Sequence, residues 1–353
     1  MEIKKGHKLA AAAVAMLSGF GFSTVAISSA IFAYDAVFPR YERPDYTLKP
    51  GVYCYERANN SLAREEFFFP SDKYKLKGYY YPAKFSKGLV VTAHGLHAGA
   101  DDYLPIIEYL VDHGYSVFAF NYKGTYESEG VGTVGMCESL VDLDHALDYI
   151  TATEPYCKMP LFLLGHSWGG YAVTSVLSIK KNLKACAAIA PMNNGYTMFL
   201  EKGQQYAGKL SAIPKPILNA YQKLLFGKYV KYCGHEGINS TDIPVIIAQG
   251  VDDKIITYNG QSVVAHRNEI TNPNVIYYTG KGFLGGHDDI WHSLDSAAYR
   301  AEIKSELKLL SLNKGSALTD DEKREAYANV DHRRYSAVNE ELMELIVNTF
   351  DNA

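Results

Sequence analysis

The sequence has no strong excess of charge of either sign and no internal repeat. Its 35 Lys and Arg residues nearly balance 39 Asp and Glu residues, which leaves a formal net charge of -4. Proteins that bind nucleic acid usually present a basic surface, so this balance gives no reason to expect nucleic acid as a partner. Hydrophobic residues make up 47% of the 353 residues, which excludes wholesale disorder and allows a large core.

Cysteine is scarce, and its spacing fits no familiar framework. The five cysteines are Cys54, Cys137, Cys157, Cys186 and Cys233. Their odd number and the absence of a Cys-x-x-Cys pair argue against a disulfide framework and against a zinc site, although a single disulfide stays open. His94, His97, Asp101 and Asp102 carry potential metal ligands but lack helical metalloprotease spacing. We therefore expect no metal ion and no organic cofactor.

The N-terminal segment is the longest uncharged stretch of the chain. Lys4, Lys5 and Lys8 precede a run without charge from Leu9 to Tyr34. The run is long enough to cross a bilayer as a helix, whereas a cleaved signal peptide has an apolar stretch of about 7–15 residues. Because the lysines come first, the N-terminus should stay inside and the remainder should be exported. We predict a membrane anchor over residues 1–34, with secretion after signal cleavage as the alternative.

Apolar runs alternate with helical patterns over most of the remaining chain. The runs expected to be strands are Glu65–Phe69, Leu76–Tyr81, Gly88–Ala93, Ser116–Asn121, Leu161–Leu164, Ala185–Pro191, Ile243–Gln249 and Val275–Thr279. The helices expected are Tyr103–His113, Glu138–Ile150, Tyr171–Lys180, Gln261–Glu269, Trp291–Leu310 and Glu340–Phe350. This alternation predicts an α/β fold with a mostly parallel, doubly wound sheet and helices on both faces.

The alternation is interrupted once, between residues 192 and 240. This stretch mixes helical patches with glycine, proline and many aromatic residues. It is longer than an ordinary crossover, so we predict a helical cap inserted over the strand ends. The main domain is expected over residues 35–312, with the helix Trp291–Leu310 packed on its sheet. A charged helical extension over residues 313–353 should follow.

A Gly-x-Ser-x-Gly motif, Gly165 to Gly169, joins a buried apolar run to a helical pattern. A sharp, strained strand-to-helix turn of this kind lifts the Ser167 hydroxyl clear of the backbone. The glycines lack a Cβ atom and let neighbouring elements approach. The helix N-terminus behind Ser167 offers N–H groups where an oxyanion would form. The motif is common by itself, so its meaning depends on residues elsewhere in the chain.

Potential partners of the serine follow the next strands in chain order. Asp252 and Asp253 come directly after one expected strand, and His287 follows Gly285-Gly286 after the next. Serine is a weak nucleophile until a base takes its proton, and an imidazole usually does so. The imidazole in turn needs an acid that fixes its tautomer. The carboxyl ends of parallel strands share one edge of a sheet, which is where these residues are expected.

Together these motifs resemble the α/β-hydrolase superfamily, in particular its serine aminopeptidase-like, monoacylglycerol lipase-like and cinnamoyl esterase-like branch. The resemblance covers about residues 67–310 and rests on His-Gly after the early strand, G-H-S-W-G-G, G-x-x-D-x-x-I and G-G-H. It implies Ser167 as nucleophile and His287 as base. It also implies Asp253 as the acid, with the adjacent Asp252 in reserve.

The resemblance further implies that the backbone N–H groups of Leu96 and Trp168 form an oxyanion hole. The expected activity is that of a serine hydrolase, with EC class 3.1.1 favoured. Such an enzyme would cleave a small-molecule carboxylic ester, or a thioester or amide, through an acyl-enzyme. His94 is expected to tie the oxyanion loop structurally. The loop from Lys123 to Gly130 matches the family's R-G-x-G-x-S-x-G pattern only loosely.

Two alternatives stay open, one within the enzymes and one of another functional class. A serine peptidase of the aminopeptidase type would need acidic groups to hold an amine, and Glu127, Glu129 and Glu201 are the candidates in the sequence. A catalytically silent, membrane-tethered binding protein could use the same fold, because a fold does not guarantee its chemistry. The sequence carries no signal for the oligomeric state.

Overall fold

A computed structural model describes residues 38–49, 51–58, 62–199, 201 and 215–353. The predicted membrane anchor at residues 1–34 lies outside the described residues. So does part of the predicted cap, at residues 200 and 202–214. Within the described part of the chain, no helix is both long enough and apolar enough to span a membrane.

The described residues are organised around one sheet of eight strands. The strands are β1 (Glu65–Ser71), β2 (Tyr74–Tyr81), β3 (Leu89–Ala93), β4 (Ser116–Phe120), β5 (Leu161–His166), β6 (Ala185–Ile189), β7 (Val245–Gly250) and β8 (Val275–Gly280). Their spatial order is β1-β2-β4-β3-β5-β6-β7-β8. Strands β3 to β8 run parallel, while the β1–β2 and β2–β4 pairs are antiparallel. The predicted α/β fold with a mostly parallel sheet is confirmed.

Helices cover both faces of this sheet, as its buried strands require. The α-helices are α1 (Leu104–Asp112), α2 (Glu138–Ala152), α3 (Trp168–Ser175), α4 (Lys215–Phe226), α5 (Gly234–Asn239), α6 (Leu294–Lys314), α7 (Asp320–Tyr327), α8 (His332–Ser336) and α9 (Glu340–Asp351). Alternate strand residues point to opposite faces. Val91 and Leu163 join one apolar cluster with α2 and α3, while Val90 and Leu164 join a second cluster with α1 and α9.

The packing of the late helices differs from the expectation. Helix α6 occupies most of the expected Trp291–Leu310 helix, but it is largely exposed, with only Ser296, Ala297 and Ile303 buried. Its place on the sheet is taken by α9, whose buried apolar residues belong to the core cluster that also contains α1. The predicted packing of the Trp291–Leu310 helix was therefore wrong. The strongly amphipathic last helix buries more apolar side chains than α6 could.

Two shorter helices also depart from the predicted bounds. The expected helix Gln261–Glu269 is a single 3-10 turn, Val263–His266, in which only the two valines are buried. Branching at Cβ disfavours helix, and so small a buried face does not sustain several turns. The helix expected over Tyr171–Lys180 starts earlier, at Trp168, and ends in the 3-10 turn Val176–Ser178.

The region of the predicted cap is partly described. Residues 195–199 are helical, and α4 and α5 follow after the undescribed stretch. The boundaries of the cap stay a prediction. All five cysteines are free thiols, and Cys157 is the exposed one.

Candidate active site

The Ser167 turn has the strain that the motif predicts. Ser167 joins β5 to α3 with φ 57° and ψ -113°, a conformation that a side chain-bearing residue rarely adopts. Its N–H donates to the Ile189 carbonyl at 2.8 Å, which anchors the turn to the neighbouring strand. A Cβ atom on Gly169 would collide with the Ala93 carbonyl oxygen, so only glycine fits there. The half-buried Ser167 side chain is thereby presented beyond the carboxyl end of β5.

Three distant side chains form one hydrogen-bonded chain at this edge of the sheet. His287 Nε2 lies 2.8 Å from Ser167 Oγ, and His287 Nδ1 lies 2.7 Å from Asp253 Oδ2. Asp253 is on the loop after β7, and His287 is on the loop after β8. The Asp253 side chain is 0% exposed and that of His287 only 8%, so little water competes for these contacts.

Asp253 is held as an anion by several donors. Its Oδ1 accepts the backbone N–H groups of Ile255 and Ile256, at 2.8 and 2.9 Å. Its Oδ2 accepts from Gln249 Nε2 at 2.9 Å as well as from His287. Burial by itself would raise the pKa of Asp253, but the hydrogen bond and charge of His287 and the two backbone amides outweigh it, so the pKa is lowered.

The anionic carboxylate sets the imidazole tautomer. Since Asp253 only accepts, His287 Nδ1 carries a proton, and Nε2 is free to accept the Ser167 hydroxyl proton. Asp252, held in reserve at the sequence level, is exposed and lies beside Gly285. The structure therefore brings Asp253, and not Asp252, to His287.

The two residues predicted as oxyanion donors, Leu96 and Trp168, follow the neighbouring strands β3 and β5 at matching positions. Ala93 pairs with Gly165 in the β3–β5 ladder. Leu96 lies three residues beyond Ala93 and Trp168 three residues beyond Gly165, so both amides lie just past the same sheet edge. Trp168 is the first residue of α3, where backbone N–H groups have no acceptor within the helix.

His94 braces the loop that carries Leu96. Its Nδ1 donates to the Gly95 carbonyl at 2.8 Å, and its Nε2 accepts the Tyr122 N–H at 3.2 Å. Complete burial lowers the pKa of His94 to about 4, so the ring is neutral at pH 7. These contacts agree with the structural role expected for His94.

The acidic residues near this loop have structural partners. Asp101 is buried and accepts from Arg43 at 2.5 Å and from Arg64 at 3.0 Å. Glu127 pairs with Arg43 at 2.6 Å, and Glu129 accepts the Lys75 N–H at 2.8 Å. In the same way, Asp102 accepts from the Gly99 N–H, and Glu201 accepts from the Thr257 hydroxyl. These carboxylates are therefore engaged in holding loops together.

Potential metal ligands meet at three places in the described part of the chain. The groups are His166–His287–Asp288, Cys233–His235–Glu236 and His235–His266–Glu269. The first includes the imidazole that is hydrogen-bonded to Ser167. In the third, the His235 and His266 rings stack at 4.9 Å with an interplanar angle of 7°. Nitrogen lone pairs in two parallel planes do not point at one centre, so this arrangement does not fit a metal ion.

A cleft of about 690 Å³ adjoins His287. Its apolar lining includes Ile255 and Phe283, and its charged lining includes both acids and bases, such as Asp289, Arg300 and Lys304. The volume is in the range of small-molecule sites. A mixed lining of this kind favours neither anionic nor cationic ligands.

Sequence comparison finds similarity over part of the chain. A family model described as serine aminopeptidase, S33, matches residues 85–232, which include the Ser167 turn but end before Asp253 and His287. Uncharacterized protein YfhR of Salmonella typhi is 25% identical over 197 residues, covering 54% of this chain and 64% of that protein. The chain thus spans a little under two thirds of the length of the curated relatives that it matches.

Solved structures show the same fold. The esterase Pf2001 of Pyrococcus furiosus aligns with a TM-score of 0.52 and 19% identity, over 74% of this chain and 94% of that chain. A second crystal form of that esterase gives 0.51 and 21%, over 67% and 89%. The chain therefore has the α/β-hydrolase fold, as its motifs predict, and its residues 85–232 are similar to the serine aminopeptidase family.

Sequence motifs pointed to Ser167, Asp253 and His287, which the structure brings together, but they did not predict the contacts of three residues around them. Gln249 is one, and its amide is the second side-chain donor to Asp253. The others are Tyr103 and His166, which are hydrogen-bonded to each other. Gln249 could have been noticed as a polar residue ending an apolar strand. The Tyr103–His166 pair had no such local signal.

Proposed function

We propose that this protein is a serine hydrolase that cleaves a carboxylic ester of a small molecule. The observation that carries the proposal is the hydrogen-bonded chain from Ser167 Oγ through His287 to Asp253, at 2.8 and 2.7 Å. Nucleophile and base are within proton-transfer distance, and the acid orients the base. The α/β-hydrolase fold and the similarity of residues 85–232 to the serine aminopeptidase family support this interpretation.

The geometry fits a two-step acyl transfer. Ser167 Oγ attacks the carbonyl carbon while its proton passes to His287 Nε2. The tetrahedral intermediate collapses by breaking the bond to the leaving oxygen, which takes the proton from His287 and departs as an alcohol. Water then attacks the acyl-enzyme, with His287 accepting its proton, and the carboxylic acid leaves as Ser167 regains a proton. Asp253 stays ionised and stabilises the imidazolium formed in each step.

The negative charge that develops on the carbonyl oxygen needs donors. The amides of Leu96 and Trp168 are proposed for this role, because each follows one of two adjacent strands at the same level. Preorganised donors of this kind contribute about 3 kcal/mol each to transition-state stabilisation.

Ester cleavage is favoured over the peptidase alternative. A peptidase that removes N-terminal residues needs a carboxylate to bind the substrate amine. Glu127 and Glu129, two of the candidates for that role, instead hold Arg43 and the Lys75 amide.

Hydrolysis of p-nitrophenyl butyrate by the full-length chain tests the proposal. We expect turnover by the unaltered protein, and loss of at least about 10³-fold in Ser167→Ala. Ser178→Ala, three residues beyond α3, is the matched control and should keep full activity. Equal rates in Ser167→Ala and the unaltered protein would rule out the mechanism. A folded protein inert toward short esters and toward N-terminal amino acid amides would favour the silent binding protein.

We also propose that residues 1–34 anchor the domain to a membrane and that the catalytic domain is exported. The uncharged run behind three lysines supports this. Membranes washed in alkaline carbonate should retain the protein, and protease added to intact cells or spheroplasts should digest its catalytic domain. Recovery of a shortened, soluble protein outside the cell would instead show that the segment is a cleaved signal.

A further inference from the structure

His166, the residue before the nucleophile, is buried and contacts two different loops. Its Nδ1 lies 2.7 Å from the Tyr103 hydroxyl, which also accepts the Gly95 N–H at 3.0 Å. On the other side of the ring, Nε2 lies 3.2 Å from the backbone carbonyl of His287. His166, together with the Tyr103 hydroxyl, therefore bridges the loop that carries Leu96 and the loop that carries His287.

The protons in this bridge can be assigned. The His287 carbonyl can only accept, so the neutral His166 ring carries its proton on Nε2, and the Tyr103 hydroxyl, which accepts from the Gly95 N–H, donates its own proton to Nδ1. His166 Nδ1 is then an acceptor, and Nε2 carries the proton that is donated to the His287 carbonyl. Burial, followed by the proximity of His287, lowers the pKa of His166 to about 4, so the ring is neutral at pH 7. A neutral ring can stand 5.0 Å from His287 without opposing its protonation during acyl transfer.

We infer that His166 is a positioning residue that holds the oxyanion loop and the base loop in register with the nucleophile. The inference rests on the proposed serine hydrolysis. His166 is linked to Ser167 by a peptide bond, to the Gly95–Leu96 loop through the Tyr103 hydroxyl, and to the His287 loop by a hydrogen bond to the His287 carbonyl. It touches none of the reacting atoms itself. Loosening either contact would displace a group whose placement matters to within about 1 Å.

A displacement of that size costs about 10²-fold in rate without weakening substrate binding. The contact to Tyr103 can be cut while the contact to His287 is kept. Gln in place of His166 can keep a donor near the Nε2 position, but it has no acceptor at the place of Nδ1. His166→Gln therefore cuts the contact to Tyr103 and keeps the one to His287. Tyr103→Phe cuts that same contact from the other end and also removes the acceptor of the Gly95 N–H.

The test compares His166→Gln, Tyr103→Phe and the double variant in the full-length chain. The number of reactive sites is first titrated with a fluorophosphonate, and kcat for p-nitrophenyl butyrate is expressed per titrated site. We expect each single variant to lose about 10- to 100-fold in kcat with KM changed less than about threefold. The double variant should lose no more than Tyr103→Phe alone, because that change already breaks the contact that His166→Gln breaks. His113→Gln alters an exposed histidine and is the control.

The outcomes separate this inference from the proposed function. A purely structural role would lower the thermal midpoint and the number of titrated sites but leave kcat per site unchanged, which would overturn the inference. Losses that multiply in the double variant would overturn it too, because the two residues would then act independently. In both cases the hydrolase proposal would stand, provided that the unaltered protein is active and Ser167→Ala is not. If the unaltered protein were neither labelled by the fluorophosphonate nor active toward the ester, both this inference and the proposed function would be ruled out.

Discussion

Replacing Asp253 by asparagine removes one charge and one acceptor oxygen from a side chain whose two oxygens both accept hydrogen bonds. The backbone amides of Ile255 and Ile256 require an oxygen at one side of the group. The amide nitrogen of asparagine must then face His287 Nδ1 and Gln249 Nε2, which are donors in the native protein. His287 can accept that N–H only by moving its own proton to Nε2. In this tautomer Nε2 faces Ser167 with a proton and cannot accept another.

The expected loss is large because the base is then in the wrong tautomer. Asn at the corresponding position of a serine-histidine-aspartate triad lowers kcat about 10⁴-fold in another protein, which corresponds to about 5.5 kcal/mol. We expect a loss of about 10³- to 10⁴-fold for Asp253→Asn. The flanking Gln249 can turn its amide to accept from the new asparagine, but this does not restore the tautomer of His287. Burst kinetics with p-nitrophenyl butyrate would measure the acylation rate directly.

Asp252→Asn is the matched control, because Asp252 is adjacent and exposed. It removes the same charge from the same loop and should leave kcat within about twofold. If Asp253→Asn kept more than a tenth of the native rate, or if Asp252→Asn lost as much as Asp253→Asn, the assignment of Asp253 would be refuted.

Three further predictions concern stability. Burial lowers the pKa of His94 and of His166 to about 4, and it also lowers the pKa of His292. Below the ordinary histidine pKa of 6.5, the unfolded chain therefore binds more protons than the folded one. The free energy of unfolding should therefore fall as pH drops from 6.5 toward 4, by up to about 1.4 kcal/mol per pH unit for each histidine. Urea denaturation that gives the same free energy of unfolding across this pH range would contradict the prediction. Asp101→Asn leaves Arg43 and Arg64 without their shared buried partner and should cost about 3 kcal/mol in urea unfolding, whereas the exposed Asp295→Asn should cost much less. Gly169→Ala should lower the thermal midpoint sharply, because a Cβ would collide with Ala93, and an unchanged midpoint would refute the close approach.

Local patterns were sufficient for most of the fold and for the main residues of the site. Strands β3 to β7 are short apolar runs that are buried on both faces, and such runs can be recognised without knowing their neighbours. Ser167 could be located because a strained turn needs glycines at fixed spacing. Asp253 and His287 follow strands, and the parallel sheet brings strand ends together.

The remaining features depend on contacts between distant parts of the chain. Periodicity shows that both α6 and α9 form helices, but it does not show which of them packs on the sheet. That outcome depends on the competition between their apolar faces, and α9 has the larger one. The pairing of Tyr103 with His166 likewise joins residues that are 63 positions apart. No spacing rule predicts such a contact.

The most direct test of the account is to locate the site of covalent reaction with a fluorophosphonate. The full-length protein is labelled and digested, and the adduct is mapped by mass spectrometry. We expect a single adduct on Ser167, absent from Ser167→Ala and much slower to form in Asp253→Asn. An adduct on another serine, or no adduct on a folded protein that nevertheless cleaves esters, would contradict the central role of Ser167.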